Sequence, residues 1–150
     1  MNGILRIVGS HDHGDGKPEI IKQEFIAYCE QEGTTYIITY TESATVESAV
    51  ASSDSEPSKT THRLEIGEGF LRMLQTGAVD SELHFSLGET WNTDYRTPYG
   101  LMKMTAITRL LMIEENPKKI AAHVQYELQM NGDKISDSKV RISFIPERTT

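Results

Sequence analysis

The chain has 150 residues, 37% of them hydrophobic, with 15 Lys and Arg against 22 Asp and Glu, a net charge of −7 and a pI near 5.2. That length is one domain's worth and can bury about 68–70% of its unfolded surface, so a core needs neither metal nor disulfide. An acidic balance with no Lys/Arg cluster repels phosphate backbones and argues against nucleic acid as a partner. No apolar run approaches the ~18 residues of a membrane helix, and Met1–Arg6 lacks the basic and apolar regions of a leader, so a cytoplasmic protein without a membrane partner is expected.

In chain order, period-two alternation dominates and helical stripes are absent, which is the pattern of antiparallel strands with one buried and one wet face. Gly3–Val8 is a short first strand. Glu19–Glu30 and Thr34–Glu42 form a hairpin about Gln31-Glu32-Gly33, with Cys29 on the first of them. A lone cysteine excludes an intrachain disulfide, and on a strand it reads as a small buried apolar group. Residues 43–58 are rich in Ser and Ala, acidic and without a base, and are expected to form a mobile loop. Strands follow over 59–66 and 69–76, and another contains Leu83, Phe85 and Leu87 on one face. Met102, Met104, Ala106, Thr108, Leu110 and Met112 are expected to share one face of a long strand that curves around a barrel wall. Ala122, Val124, Tyr126, Leu128 and Met130 then alternate with His123, Gln125, Glu127 and Gln129, and Asn131-Gly132 turns the chain into a strand carrying Val140, Ile142 and Phe144. About eight to ten strands joined by short turns predict an all-β fold, a single antiparallel, mostly up-and-down β-barrel spanning 1–150, because closure removes the sheet edges.

Residues capable of chemistry are sparse. His11-Asp12-His13-Gly14-Asp15 has metal-like composition, but no further ligands follow at the required spacing, so a polar turn is the expectation and no metal or other cofactor is implied. His62, His84 and His123 stand singly on strands, with His84 and His123 on wet faces. Glu114-Glu115 would point apart, Lys118-Lys119 reads as a solvated turn, and no nucleophile elbow, zinc-protease or phosphate-loop string occurs. No catalytic residue is assigned.

Residues 91–100 concentrate Trp91, Tyr95, Arg96 and Tyr99 around Asp94, Pro98 and Gly100. The plainer reading is a wide inter-strand turn whose aromatics pack on the barrel edge. The functional reading is a barrel mouth at which these four residues meet a ligand, with Arg96 available to an anionic head unless Asp94 pairs with it.

The stretches TGAV at 76–79, TPYG at 97–100 and MNGDKIS at 130–136, with Tyr36, Tyr40, Glu42-Ser43 and Lys59-Thr60-Thr61, resemble the YwiB-like family of small bacterial proteins of uncharacterised function. The resemblance covers about Gly16 to Ile145 and is strongest over 70–145. It implies a calycin, or lipocalin-like, barrel in the cytoplasm and supplies no catalytic residues. This chain departs from the family with Gln75 where Arg is usual and Arg96 where Asp is frequent. The expected function is a non-enzymatic cytosolic barrel binding a small apolar or amphipathic molecule. The alternative is a filled barrel acting through its rim or a homodimer contact.

Overall fold

The computed structural model describes residues 1–43, 59–77 and 80–147, leaving aside the side chains at 43 and 95–97. Ten strands follow one another: β1 Asn2–Asp12, β2 Glu19–Glu32, β3 Thr35–Ser43, β4 Lys59–Gly67, β5 Phe70–Thr76, β6 Ser81–Ser86, β7 Thr90–Thr97, β8 Gly100–Asn116, β9 Lys119–Met130 and β10 Asp133–Pro146. They form one antiparallel sheet in the order β6-β5-β4-β3-β2-β1-β10-β9-β8-β7. Every neighbour in that order is a sequence neighbour except β1 and β10, the terminal strands, which pair along nearly their whole length from Gly3↔Pro146 to Asp12↔Asp137. The sheet curls into a nearly closed barrel whose seam lies between β6 and β7.

Trp91 bridges that seam. Its indole N–H donates to the Glu82 carbonyl of β6 at 3.2 Å, and its ring meets His84 edge-on at 5.2 Å. On the other side of β7, the Thr108 amide donates to the Glu89 carbonyl at 3.0 Å and continues the β7–β8 ladder. The indole bond uses a backbone acceptor of β6 that an open sheet edge would leave to water. His84, expected to be solvated, is half-buried between Phe70 and Trp91 because the seam brings rings over it.

The core lies inside the barrel and is tightest at the end bearing the β2–β3, β4–β5 and β8–β9 turns. Leu5, Ile38, Leu71, Phe85, Val124, Ile142 and Phe144 are completely buried there, and Cys29 packs among them at 1% exposure. Gly3 is needed in this layer, since a Cβ would stand 2.6 Å from the Phe144 ring. At the other end, Asn131 at φ 50° and Gly132 at φ 86° make the tight β9–β10 turn expected from Asn-Gly.

Two sequence expectations fail for identifiable reasons. The face supposed to run unbroken over 102–112 is interrupted by a bulge at Arg109, where the β8–β9 register shifts between Thr108 and Leu110. One extra residue moves all later side chains to the opposite face. Leu111 and Ile113 therefore pack on the core, and Met112 is 60% exposed. Residues 91–97 are not a turn but most of β7, registered from Trp91↔Ala106 to Thr97↔Gly100, and only Pro98 and Tyr99 turn. The loop expected at 43–58 falls, from residue 44 on, outside the described residues.

Candidate functional site: the open end of the barrel

Burial of the inward side chains falls towards the end that carries the β1–β2, β7–β8 and β9–β10 turns. Phe85 and Tyr126 meet across the interior with ring centroids 4.7 Å apart, and Phe25 stacks on Tyr40 at 4.4 Å. These rings form a floor. Above it the inward residues Met73, Leu83, Leu128 and Met130 are only partly buried, whereas Met104, Ser136 and Ser138 are buried.

Two polar rows descend from the rim to the floor. On one wall Ser81, Gln75, His62 and Tyr40 are direct cross-strand neighbours across β6, β5, β4 and β3. Neighbours of this kind lie about 5 Å apart on the same face, so the four form a continuous hydrogen-bonding strip. His62 lies flat on Tyr40, with centroids 4.5 Å apart and planes 4° from parallel, and its Nε2 meets the Glu42 carboxylate at 3.1 Å. Burial, and then the Glu42 charge, push the Tyr40 phenol well above its ordinary pKa, so it stays protonated and can donate.

On the opposite wall His11, Ser138, Tyr126 and Thr108 are neighbours across β1, β10, β9 and β8. His11 Nδ1 meets Ser138 Oγ at 2.8 Å, and Ser136 and Ser138 share a hydrogen bond of 2.9 Å. Burial lowers the His11 pKa from 6.5, against a smaller opposing pull from Glu19, so the ring is neutral at pH 7. At the foot of the row Thr108 is 3% exposed and its Oγ1 has no hydrogen-bond partner among the described residues. An orphaned buried hydroxyl costs free energy, of order 1–3 kcal/mol.

No arginine or lysine with a described side chain joins these inward rows. Arg6, Arg63, Arg72, Arg109 and Lys134 all pair with carboxylates on the outer wall or rim. The described residues offer no group of three His, Cys, Asp or Glu side chains to a metal ion. His11, read from sequence as part of a turn, is on β1 and points inward, whereas His13 lies in the turn beside Glu19 at 3.6 Å.

The four residues singled out from sequence are not gathered together. Trp91 occupies the seam, and at a strand rise of about 3.3 Å per residue it stands roughly 20 Å from the far end of β7. Tyr99 is fully exposed in the turn at the open end. Tyr95 and Arg96 register opposite Met102 and Leu101 near that turn, but their side chains, and hence any Asp94–Arg96 pair, lie outside the described residues. Sequence reasoning missed the two polar rows because each takes one residue from each of four strands. Only the register aligns them, although the inward parity of His62 and Gln75 was a usable signal.

Two recesses lie elsewhere. One of about 410 Å³ at the packed end is bordered by Tyr36, Glu68 and Glu115. There the Tyr36 hydroxyl donates to Glu115, which raises the Tyr36 pKa to about 12. Another of about 480 Å³ on the outer wall is bordered by Met112, His123 and Arg141.

Comparison with known proteins agrees with this architecture. The chain superposes on the crystal structure of the ywiB protein from Bacillus subtilis with a TM-score of 0.79 over 98% of this chain and 92% of that one. The sequence identity is 16%, so that likeness shows the fold. No curated protein matches the chain. The domain of unknown function DUF1934 matches residues 5–142, and together with the YwiB-like fold this places the chain in the DUF1934, YwiB-like family.

Proposed function

We propose that this protein is a non-enzymatic cytosolic barrel that binds a small amphipathic molecule in its open end. The observation that carries the reading is the pair of inward polar rows above an aromatic floor, one of them ending in the unpartnered hydroxyl of Thr108. Binding sites commonly combine apolar walls with a few convergent polar groups, and this arrangement supplies both. The calycin-like character of the barrel supports the reading only by analogy.

The lining favours a particular head group. Tyr40, Gln75, Ser81, His11 and Ser138 offer neutral donors and acceptors, and Glu42 supplies a carboxylate that His62 meets at 3.1 Å and that no described arginine or lysine pairs with. A hydroxyl, amide or amine head fits this lining better than a carboxylate. Tyr95, Arg96 and Tyr99 are the proposed rim contacts, and Arg96 is the route by which an anionic head would be held. Trp91 belongs to the same sequence motif and contributes by holding the seam shut.

Native mass spectrometry of protein purified from its own cells tests the proposal, because a retained mass identifies the occupant. In parallel, medium-chain alcohol, amine and carboxylate probes of equal length should shift the backbone resonances of residues 40, 62, 75, 81, 11 and 138. The alcohol or amine should bind about tenfold or more tightly than the carboxylate, a difference of about 1.4 kcal/mol. Carboxylate binding that Arg96→Ala abolishes would reassign the head group to the rim. No retained mass, together with no shift at those six positions, would remove the ligand and leave the barrel as an interaction scaffold.

A further inference from the structure

β2 leaves β3 early. The two strands pair only from Tyr28↔Thr39 to Glu32↔Thr35, although β3 continues to Ser43 alongside β4. From Glu19 to Ala27, β2 is held by β1 on one side and has no strand on the other among the described residues. Residues 19–24 are exposed on both faces, with Ile20 at 60%, Ile21 at 41% and, further on, Ile26 at 85%. A strand with a free edge pairs with another strand unless proline, a bulge or unmatched charge prevents it, so a partner here must match Lys22 and Glu24. Pro18 precedes this one but does not interrupt it.

We infer that the free edge of β2 is a homodimer interface, in which two copies pair antiparallel about a two-fold axis at Gln23. An isologous antiparallel pair must match residues of the same face, so the axis has to pass through a residue. Centred on Gln23, Lys22 of each copy stands opposite Glu24 of the other. Ile20 then meets Ile26, and Ile21 meets Phe25. Centring on Ile21, Lys22, Glu24 or Phe25 instead sets a charged residue against isoleucine, proline or tyrosine. Only the Gln23 register sets Lys22 against Glu24 and isoleucine against apolar residues, and its one unmatched pair, Glu19 with Ala27, lies at the outer limit of the edge.

The neighbouring strands fit the same register. Ile145, Ile4 and Ile26 are direct neighbours across β10, β1 and β2, with exposures of 42%, 43% and 85%. Pairing extends this exposed row into Ile20 of the second copy and covers Ile26, its most exposed member. Glu24 already meets Arg6 of β1 at 3.0 Å, so it would lie between two cations, one from each chain.

Light scattering across a concentration series should give twice the 16.9 kDa chain mass for the unmodified protein. Lys22→Glu and Glu24→Lys each place like charges opposite one another twice in the dimer, and each should weaken association by roughly tenfold or more. Circular dichroism should show both variants folded, because the two positions are exposed. The two variants mixed together match every charge again, so the mixture should return to dimer mass although each alone is shifted to monomer. A protein that is monomeric throughout, single variants that dimerise normally, or a mixture that stays monomeric would each overturn the Gln23-centred interface.

Discussion

Phe85 is completely buried against Tyr126, and Leu87, two residues on and assigned by alternation to the same face, is 63% exposed in the β6–β7 turn. Phe85→Ala should therefore cost about 3–5 kcal/mol in urea unfolding, while Leu87→Ala should stay within about 0.5 kcal/mol. Comparable losses at both positions would mean that the strand does not end at Ser86. His11 gives a second test at this scale. Burial lowers its pKa below 6.5 in the folded state, so the unfolded chain takes up the proton first as pH falls. The stability it contributes is complete above that value and is lost as pH drops through the folded-state pKa. His11→Asn should flatten the fall of Tm as pH drops below about 6.5, the ordinary histidine value, relative to the unmodified protein. Glu127 on the outer wall follows the same sign in the acid range. Gln129 and then Arg109 hold its carboxyl below the ordinary value, and that contribution disappears as the carboxylate is protonated.

At the scale of elements, the bulge in β8 decides which side chains reach the core. Ile113→Ala should cost about 2–4 kcal/mol, and Met112→Ala, on the solvent side, within about 0.5 kcal/mol. The unbroken alternation read from 102 to 112 requires the reverse ranking, so urea titration of the two variants separates the alternatives. The bulge left no clear mark in the sequence. Leu110-Leu111-Met112-Ile113 is apolar at every position, so either parity satisfies the pattern and the β9 register chooses between them. β9 was legible for the opposite reason. His123, Gln125, Glu127 and Gln129 are all polar, and only one parity buries Val124 and Tyr126. The β3–β4 connection yields another prediction, because Ser43 and Lys59 are directly paired. Replacing 44–58 with Asn-Gly should preserve the hairpin and leave stability unchanged or higher by about 1–2 kcal/mol, since a shorter loop closes with less entropy loss. A lower Tm after that replacement would show that the segment contributes contacts to the barrel.

For the whole molecule, the sequence by itself determined an all-β meander, most strand positions, the Asn-Gly turn and the family. Each of these is written in local order: a period of two, a residue able to adopt positive φ, or a contiguous motif. Tertiary structure alone decided that β1 pairs with β10, that Trp91 closes the seam, and that His62 and His11 lie on inward faces of different walls of the barrel. Cross-strand neighbours within each wall row are 6–127 residues apart in the chain, and no local pattern encodes which of them meet. The free edge of β2 belongs to the same class. Its Ile-Ile-Lys-Gln-Glu-Phe-Ile string carries an antisymmetric charge pair in plain view, but that pair acquires meaning only because β3 turns away and no other described strand pairs with this edge.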